Sequence, residues 1–412
     1  MKQRILFVVI ALTAGSAVIA ADWPQFRGPK RDDVSTEKGL LKTWPAEGPS
    51  LDWTAKGIGG GYSSVSIVGD RVYTLGNKGK VTNVVALERD TGKIVWTAEL
   101  GPEGGNLGCT PTVDGKHIYA IGQSGDIVCL ETETGKRVWH HNFVKEFGGK
   151  FGGWRYCESP LVDGDRLICT PGGAEATMVA LNKLTGAVIW KCAIPVNETE
   201  AGYSSVVIAE VGKVKQYVQL LSGGLVGVRT DGQFLWKYEK LGNNTANIPT
   251  PIVMGDHVFS SAGYGKGGAL VKLTADGDKV AAEEVYFNRE LTNKHGGVLL
   301  VDGHLYGDSD DSGRPFCADV KTGKVLWKKG REDGAGKQSA SVTYADGHLY
   351  FHYENGVVAL VKASPEAYTE VGSFKIPKPQ GACWAHPVVV GGKLYLREGD
   401  SIYCYDVQAK KS

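Results

Sequence analysis

Several short stretches of this chain carry residue types that do chemistry in other proteins. Asp308-Ser309-Asp310-Asp311-Ser312-Gly313 gathers three carboxylates ahead of a glycine turn. Hard oxygen donors of this kind hold calcium, which makes Asp308, Asp310 and Asp311 candidate metal ligands. The stretch lacks the distal Glu of a calcium-binding helix–loop–helix, and a solvated acidic loop is the competing reading. Gly-Tyr-Ser-Ser occurs twice, at 61–64 and 202–205. A serine nucleophile needs a base in reach and a sharp strand-to-helix elbow, and neither copy matches Gly-x-Ser-x-Gly. No catalytic residue is assigned on this basis. The glycine run 57–61 looks like a phosphate cradle, but it precedes a strand where a phosphate loop must open a helix. It reads as a flexible connection. His140-His141 reads as surface.

The cysteines exclude further chemistry. Cys109, Cys129, Cys157, Cys169, Cys192, Cys317, Cys383 and Cys404 include no adjacent pair and no Cys-x-x-Cys. Zinc ribbons, thioredoxin-type redox sites and covalent haem attachment are thereby removed. The formal net charge is +1 and no basic block interleaves with aromatics, so a nucleic-acid role is excluded.

A second set of residues is scattered, yet each member stands just ahead of an apolar strand. These are Tyr62, Asn106, Arg155 with Glu158, Tyr203, Asn247, Lys294 with His295, Lys337 with Gln338, and Trp384 with His386. Charged, amide and aromatic groups of this kind bind ligands where they converge. Whether they converge depends on the elements that carry them.

Those elements repeat with a period of about 46 residues. Each unit opens with a small or polar pair and an apolar strand, then turns at a glycine such as Gly69, Gly115 or Gly391. A second strand ends in an aromatic such as Tyr73, Tyr119 or Tyr395. A third strand of the type Val-Val-Ala-Leu turns at Thr-Gly or Asp-Gly, where glycine accepts the positive φ of a tight hairpin. The fourth strand carries a tryptophan: Trp53, Trp96, Trp139, Trp190, Trp236 and Trp327 occupy this structural position. The fifth unit lacks it near Val285 and Tyr286, and Phe374 stands one period beyond Trp327. Cys129, Cys317 and Cys404 fall where other units place Ala86 or Ala180, and are expected to be small buried hydrophobes.

Eight sets of the first three strands begin near residues 64, 109, 159, 204, 250, 296, 340 and 385, but the eighth has no fourth strand after it. One strand is surplus at the other end, around Leu51-Asp52-Trp53-Thr54. The expected fold is therefore an all-β, eight-bladed β-propeller with four-stranded antiparallel blades, closed by an N-terminal strand that completes the last blade. The propeller spans 51–407, after an extension over 22–50 and before a tail over 408–412. A buried Trp removes 150–250 Å² from water, roughly 4–6 kcal/mol each at about 25 cal/mol per Å² as an upper bound. The loops leading into the inner strands converge on the axis, which places the scattered polar and aromatic set in an axial funnel.

The run from Ala86 to Trp96 resembles the docking motif Ala-x-Asp-x-x-Thr-Gly-Lys-x-x-Trp of quinoprotein-like propellers, with variants at 129–139, 180–190 and 317–327. The opening Asp22-Trp23-Pro24-Gln25-Phe26-Arg27-Gly28-Pro29 is similar to the leader of exported proteins with this repeat. The resemblance implies one of two roles: a dehydrogenase binding pyrroloquinoline quinone (PQQ) with calcium, or a non-catalytic scaffold such as BamB. The dehydrogenases stack their cofactor on a disulfide between adjacent cysteines, which this chain lacks. The expectation is a scaffold without cofactor, binding a protein or glycan partner, with the PQQ–calcium oxidoreductase as the alternative. BamB's lipid-attachment cysteine is also missing. A monomer is expected.

Residues 1–21 read as a secretory signal. Lys2 and Arg4 precede an apolar stretch, and Ala20 and Ala21 offer a small-residue cleavage site. No later segment approaches the ~20 apolar residues of a membrane-spanning helix. A periplasmic or extracellular location follows as an expectation. Intact mass of the secreted protein checks it: the mature chain should begin near Ala21 or Asp22, and one still starting at Met1 refutes the leader.

Overall fold

The computed structural model describes residues 21–105, 107–330, 334, 336–377 and 381–410, without the side chain of Asp311. The leader, apart from Ala21, and the candidate Asn106 lie outside the described residues. Eight antiparallel sheets carry their strands in chain order, and the first strands of neighbouring sheets pack side by side around the axis. Blades 1 to 8 occupy 66–102, 112–142, 161–192, 207–238, 252–288, 298–328, 340–375 and 388–406. Ser50–Lys56 supplies the missing fourth strand of blade 8, pairing antiparallel with Ser401–Asp406 so that Trp53 faces Cys404. No disulfide joins cysteines among the described residues, and Cys129, Cys317 and Cys404 are buried.

Each fourth-strand tryptophan reaches into the next blade. Trp96 Nε1 donates to Thr132 O at 3.0 Å, Trp139 to Lys183 O at 2.9 Å and Trp190 to Thr230 O at 3.0 Å. Trp327 reaches Ser364 O at 2.8 Å, and Trp53 closes the ring on Arg89 O at 3.1 Å. Under Trp53, Trp96, Trp139 and Trp190 lies the turn glycine of the receiving blade. A Cβ on Gly92 would sit 2.5 Å from the Trp53 ring, and one on Gly135 2.6 Å from Trp96. The glycine of Thr-Gly thus answers two demands at once: its φ is positive, 70° at Gly92, and its missing side chain is the seat of the neighbour's Trp. Trp53, Trp96, Trp190 and Trp327 are only half-buried, so the full area bound for a Trp is not reached. In blade 5 Tyr286 takes the Trp position and donates its hydroxyl to Val320 O at 3.0 Å. Blade 4 departs: Trp236 Nε1 turns back to Gln216 of its own blade. There the long blade 5 hairpin is held through Glu284, which accepts from Tyr238 and from Lys240.

A second girdle runs nearer the axis. Backbone N–H groups of Ser64, Thr110, Ser159 and Ser205 donate to the hydroxyls of Thr110, Ser159, Ser205 and Thr250, each one blade further on. The small polar pair that opens each repeat is therefore the inter-blade fastening of otherwise unpaired strand ends.

Blade 7 corrects the sequence reading. The position that faces the third strand at the bulge, where other blades place Trp, is Gly372 opposite Leu360, and Phe374 lies two residues further on. The missing indole comes from the N-terminal extension. Trp44 lies on Gly372, where a Cβ would come 2.8 Å from the Trp44 Cβ. Its ring packs 5.6 Å from Tyr350 and 5.4 Å from Phe374. Trp53, Trp96, Trp139 and Trp327 meet the second-strand Tyr of their own blade at 6.0 to 6.1 Å, for example Trp53 with Tyr395 and Trp139 with Tyr119.

The rest of the extension crosses the axial channel. Trp23 exchanges backbone hydrogen bonds with Ile67 of blade 1, and Pro24 O accepts from Val113 of blade 2. Arg31 donates to Ser159 O and Pro160 O at the head of blade 3, Arg27 to Val298 O of blade 6. Val34–Ser35 adds a short parallel strand to blade 7. Arg27, Arg31 and Asp33 adopt left-handed φ of 63°, 57° and 57°, which coils the segment tightly enough to fit. With Gly392 N of blade 8 donating to the Glu37 carboxylate at 3.1 Å, the extension is a plug stitched to six of the eight blades.

Trp44→Ala is expected to lower stability by about 3–5 kcal/mol, the range for truncating a buried large aromatic. Urea denaturation checks this, and an unchanged midpoint overturns the insertion of Trp44 into blade 7.

Candidate functional site

Above the plug the funnel is a cup with a floor. Phe26 and Arg27 of the extension line it, with Tyr62, Trp154, Tyr203, Tyr264, Lys294, His295, Gln338, Glu354, Trp384 and His386 around the wall; its volume is about 430 Å³. That lies within the range of small-ligand pockets.

Asp33 organises the floor. Its Oδ2 forms an ion pair with Arg27, 3.1 Å from Nε, and lies 2.9 Å from His386 Nδ1, and all three side chains are buried. His386 Nε2 lies 3.0 Å from His295 O, so both ring nitrogens face acceptors. Phe26 packs edge-on against His386 at 5.0 Å. Blade 6 makes room for this cluster. It opens with Gly296-Gly297 where the neighbouring blades carry hydroxyls, and a Cβ on Gly297 would meet Arg27 at 2.8 Å and His386 at 3.0 Å.

The wall is built on Trp384. Tyr62 lies 4.3 Å from it at 39°, His295 4.9 Å at 43°, and Trp154 6.4 Å at 88°. Burial, reinforced by the charges of His386 and Lys294, pushes His295 down to about 3, so it adds a neutral ring near neutral pH. Lys294 Nζ stands 4.0 Å over the Tyr264 ring. Tyr203 accepts from Trp154 N at 3.1 Å and so anchors the loop that carries the exposed Trp154.

Of the residues selected from sequence, the structure brings Tyr62, Tyr203, Lys294, His295, Gln338, Trp384 and His386 into one cup. Arg155, Glu158, Asn247 and Lys337 lie outside its lining. Arg155 stacks over Phe151 at 5.5 Å, Asn247 O receives Tyr203 N and Ser204 N, and Lys337 is exposed. Glu158 is buried behind the wall, where its carboxyl accepts from Thr170 N, Thr170 Oγ1 and Gln219 Nε2. Sequence reasoning missed Phe26, Arg27, Trp154, Tyr264 and Glu354. Phe26 and Arg27 sit far upstream of the repeats, Tyr264 and Glu354 sit in loops between second and third strands, out of phase with the selected positions, and Trp154 is the immediate neighbour of the selected Arg155.

In the acidic stretch Asp308 and Asp310 point their carboxylates apart. Asp308 accepts from Ala340 N at 3.2 Å inside the wall, and Asp310 caps Tyr264 N and Gly265 N of blade 5, both at 3.1 Å. Among the described residues, no three His, Cys, Asp or Glu side chains group to hold a metal ion. Glu354 is the single carboxylate of the cup's described lining. The run 57–61 is pinned, with Gly57 N and Gly59 N on the Asp400 carboxylate.

Fold and site together define a β-propeller whose axial channel is plugged at one end and open as an aromatic cup at the other. The chain belongs to the family described as outer membrane protein assembly factor BamB, whose profile it matches over residues 80–329. No curated protein matches it. Solved structures of the same fold include quinohemoprotein alcohol dehydrogenase from Comamonas testosteroni, with 13% identity over 95% of this chain and 81% of that one, TM-score 0.62. A europium-containing methanol dehydrogenase gives 13% identity, 92% and 90% coverage, and TM-score 0.62. The computationally designed Ika8 protein gives 10% identity, 87% and 100% coverage, and TM-score 0.60. These likenesses show the fold.

A quinone–metal centre does not fit the donors present. Trp384 offers a platform, but the described lining combines one carboxylate with no adjacent cysteine pair and no metal-binding group. No chemical step is derived through such a group.

The buried carboxyls make a pH prediction. Burial pushes Glu158 up to about 8, against the lowering effect of its Thr170 hydrogen bonds and of Arg31. Burial likewise pushes Asp308 up to about 8. A raised folded pKa means the folded state holds protons that the unfolded chain has released, so this stability is full at low pH and lost as pH rises through about 8. His295 has the opposite sign, and its contribution is complete above about 6.5. Stability should therefore decline from pH 6.5 to 8, and Glu158→Gln, which keeps the shape, should flatten that decline. Equal slopes in urea titrations of the two proteins would contradict the assignment.

Proposed function

We propose that this chain is an exported, non-catalytic binding propeller, working as a monomer in the periplasm or outside the cell, whose partner docks in the axial cup. The observation that carries this reading is the plug. It turns a channel into a closed-bottomed receptacle, and its buried arginines are consumed in holding the floor, Arg27 on Asp33 and Arg31 on the head of blade 3. A general acid or base must reach a reacting atom. Here Glu158 and Asp308, the two carboxyls that burial holds near neutral pKa, are bonded behind the wall and lie outside the lining. What faces solvent is a set of ring faces with a few polar groups, which is the composition of a recognition surface. Membership of the family described by BamB supports the scaffold role.

A photo-crosslinking amino acid in place of the exposed Trp154, expressed in the native host, should yield a discrete adduct that is lost in Trp384→Ala. The rival reading, a quinoprotein-like oxidoreductase, is tested by adding PQQ with calcium. No dye-linked alcohol oxidation is expected. Micromolar one-to-one binding with turnover overturns the scaffold reading.

A further inference from the structure

The arrangement of the cup's rings narrows what it can hold. A planar aromatic ligand gains most between parallel ring faces. No measured ring pair here approaches parallel: against Trp384 the inclinations are 39° for Tyr62, 43° for His295 and 88° for Trp154, and on the floor Phe26 and His386 meet at 66°. A cationic ligand also suits a cage of inclined rings. Arg27 in the floor is already paired with Asp33, however, and Lys294, which covers the face of Tyr264, balances Glu354, so the lining has no surplus negative charge to draw a cation. The ligand that suits inclined ring faces without a cationic potential is a puckered ring. Its C–H groups are weakly positive and meet aromatic faces at several angles, while its hydroxyls bond sparse polar groups. Glu354, Gln338 and Lys294 supply an acceptor, an amide and a donor in the same lining. A volume of about 430 Å³ suits the end of a chain of such rings.

We propose that the aromatic cup is a carbohydrate site that receives the pyranose end of a glycan, Trp384 being the platform and Glu354, Gln338 and Lys294 the hydroxyl partners. This assignment rests on the reading of the chain as a binding propeller and names the class of its ligand. Near-neutral net charge agrees with recognition by contact rather than by long-range attraction.

The test is tryptophan fluorescence and calorimetry on the mature protein with maltose, cellobiose, N,N′-diacetylchitobiose and digalacturonic acid. At least one sugar should give saturable quenching. Trp384→Ala and Glu354→Gln should each weaken it about tenfold or more, a loss of about 1.4 kcal/mol or more, with unchanged thermal midpoints. Should Trp384→Ala fail to fold, Tyr62→Leu at the same ring cluster must show the loss. Four sugars without saturation, or saturation that survives these substitutions, overturn the carbohydrate assignment. If the Trp154 crosslinker still captures a protein partner in that case, the binding-propeller reading stands without the sugar. PQQ-dependent turnover brings down both.

Discussion

Every blade of this ring must be held by its neighbours, because a single four-stranded sheet buries too little to stand alone. The interaction that does this is one indole, or one phenol, laid on the next blade's turn. The ring needs a flat seat, which Gly92, Gly135, Gly186, Gly232 and Gly323 provide, and the N–H needs an acceptor, which the turn's free carbonyl provides. Trp96 on Gly135 and Thr132 O shows both halves. The seat explains why Thr-Gly recurs more strictly than a hairpin turn alone requires. Closure depends on it as well, since Trp53 from the chain's start lands on Gly92 and Arg89 O of blade 1.

That constraint accounts for the extension. Blade 7 carries Gly372 where the latch residue belongs, and a gap there would strip Tyr350 and Phe374 of the indole they pack against. Trp44 fills it from outside the repeat, and its Nε1 finds no acceptor among the described residues. It contributes the packing half of the latch without the hydrogen-bonding half. Having been drawn to blade 7, the extension must start from somewhere, and its first half lies across the axis. There the buried Arg27 and Arg31 are tolerable because backbone carbonyls of blades 3 and 6 and the Asp33 carboxylate receive them. Blade 6 yields with a second compensating glycine pair, Gly296-Gly297.

The repeat was legible from sequence because it is local: turn, aromatic and tryptophan recur at a near-constant interval, and counting strands was enough to find the closure. Most of the cup was legible for the same reason, since Tyr62, Tyr203, Lys294, His295 and Trp384 share one phase. What escaped is whatever breaks the period. Phe374 lies one period from Trp327, but the bulge that sets the register falls at Leu360, two residues away from Phe374's partner. Trp44, Phe26 and Arg27 have no repeat counterpart, so no periodicity argument reaches them. Glu158 was drawn to the funnel by its neighbours Arg155 and Tyr156, yet alternation along an extended segment turns it the other way, into Thr170 and Gln219.

The plug also decides what kind of site the axis can be. An open channel offers a ligand two entrances and little enclosure, so contact area per ring is small. Closing one end with Phe26, Arg27 and His386 adds a floor that meets the ligand from below, and the wall rings then act together. The floor is rigid because its charges are already paired: Arg27 cannot swing up to a guest without leaving Asp33 and Val298 O. A site whose ions are committed to structure, and whose solvent face is mostly ring and amide, gains affinity from fit and desolvation. Such a site discriminates by shape, and the inclination of its rings around Trp384 is the feature that sets the shape.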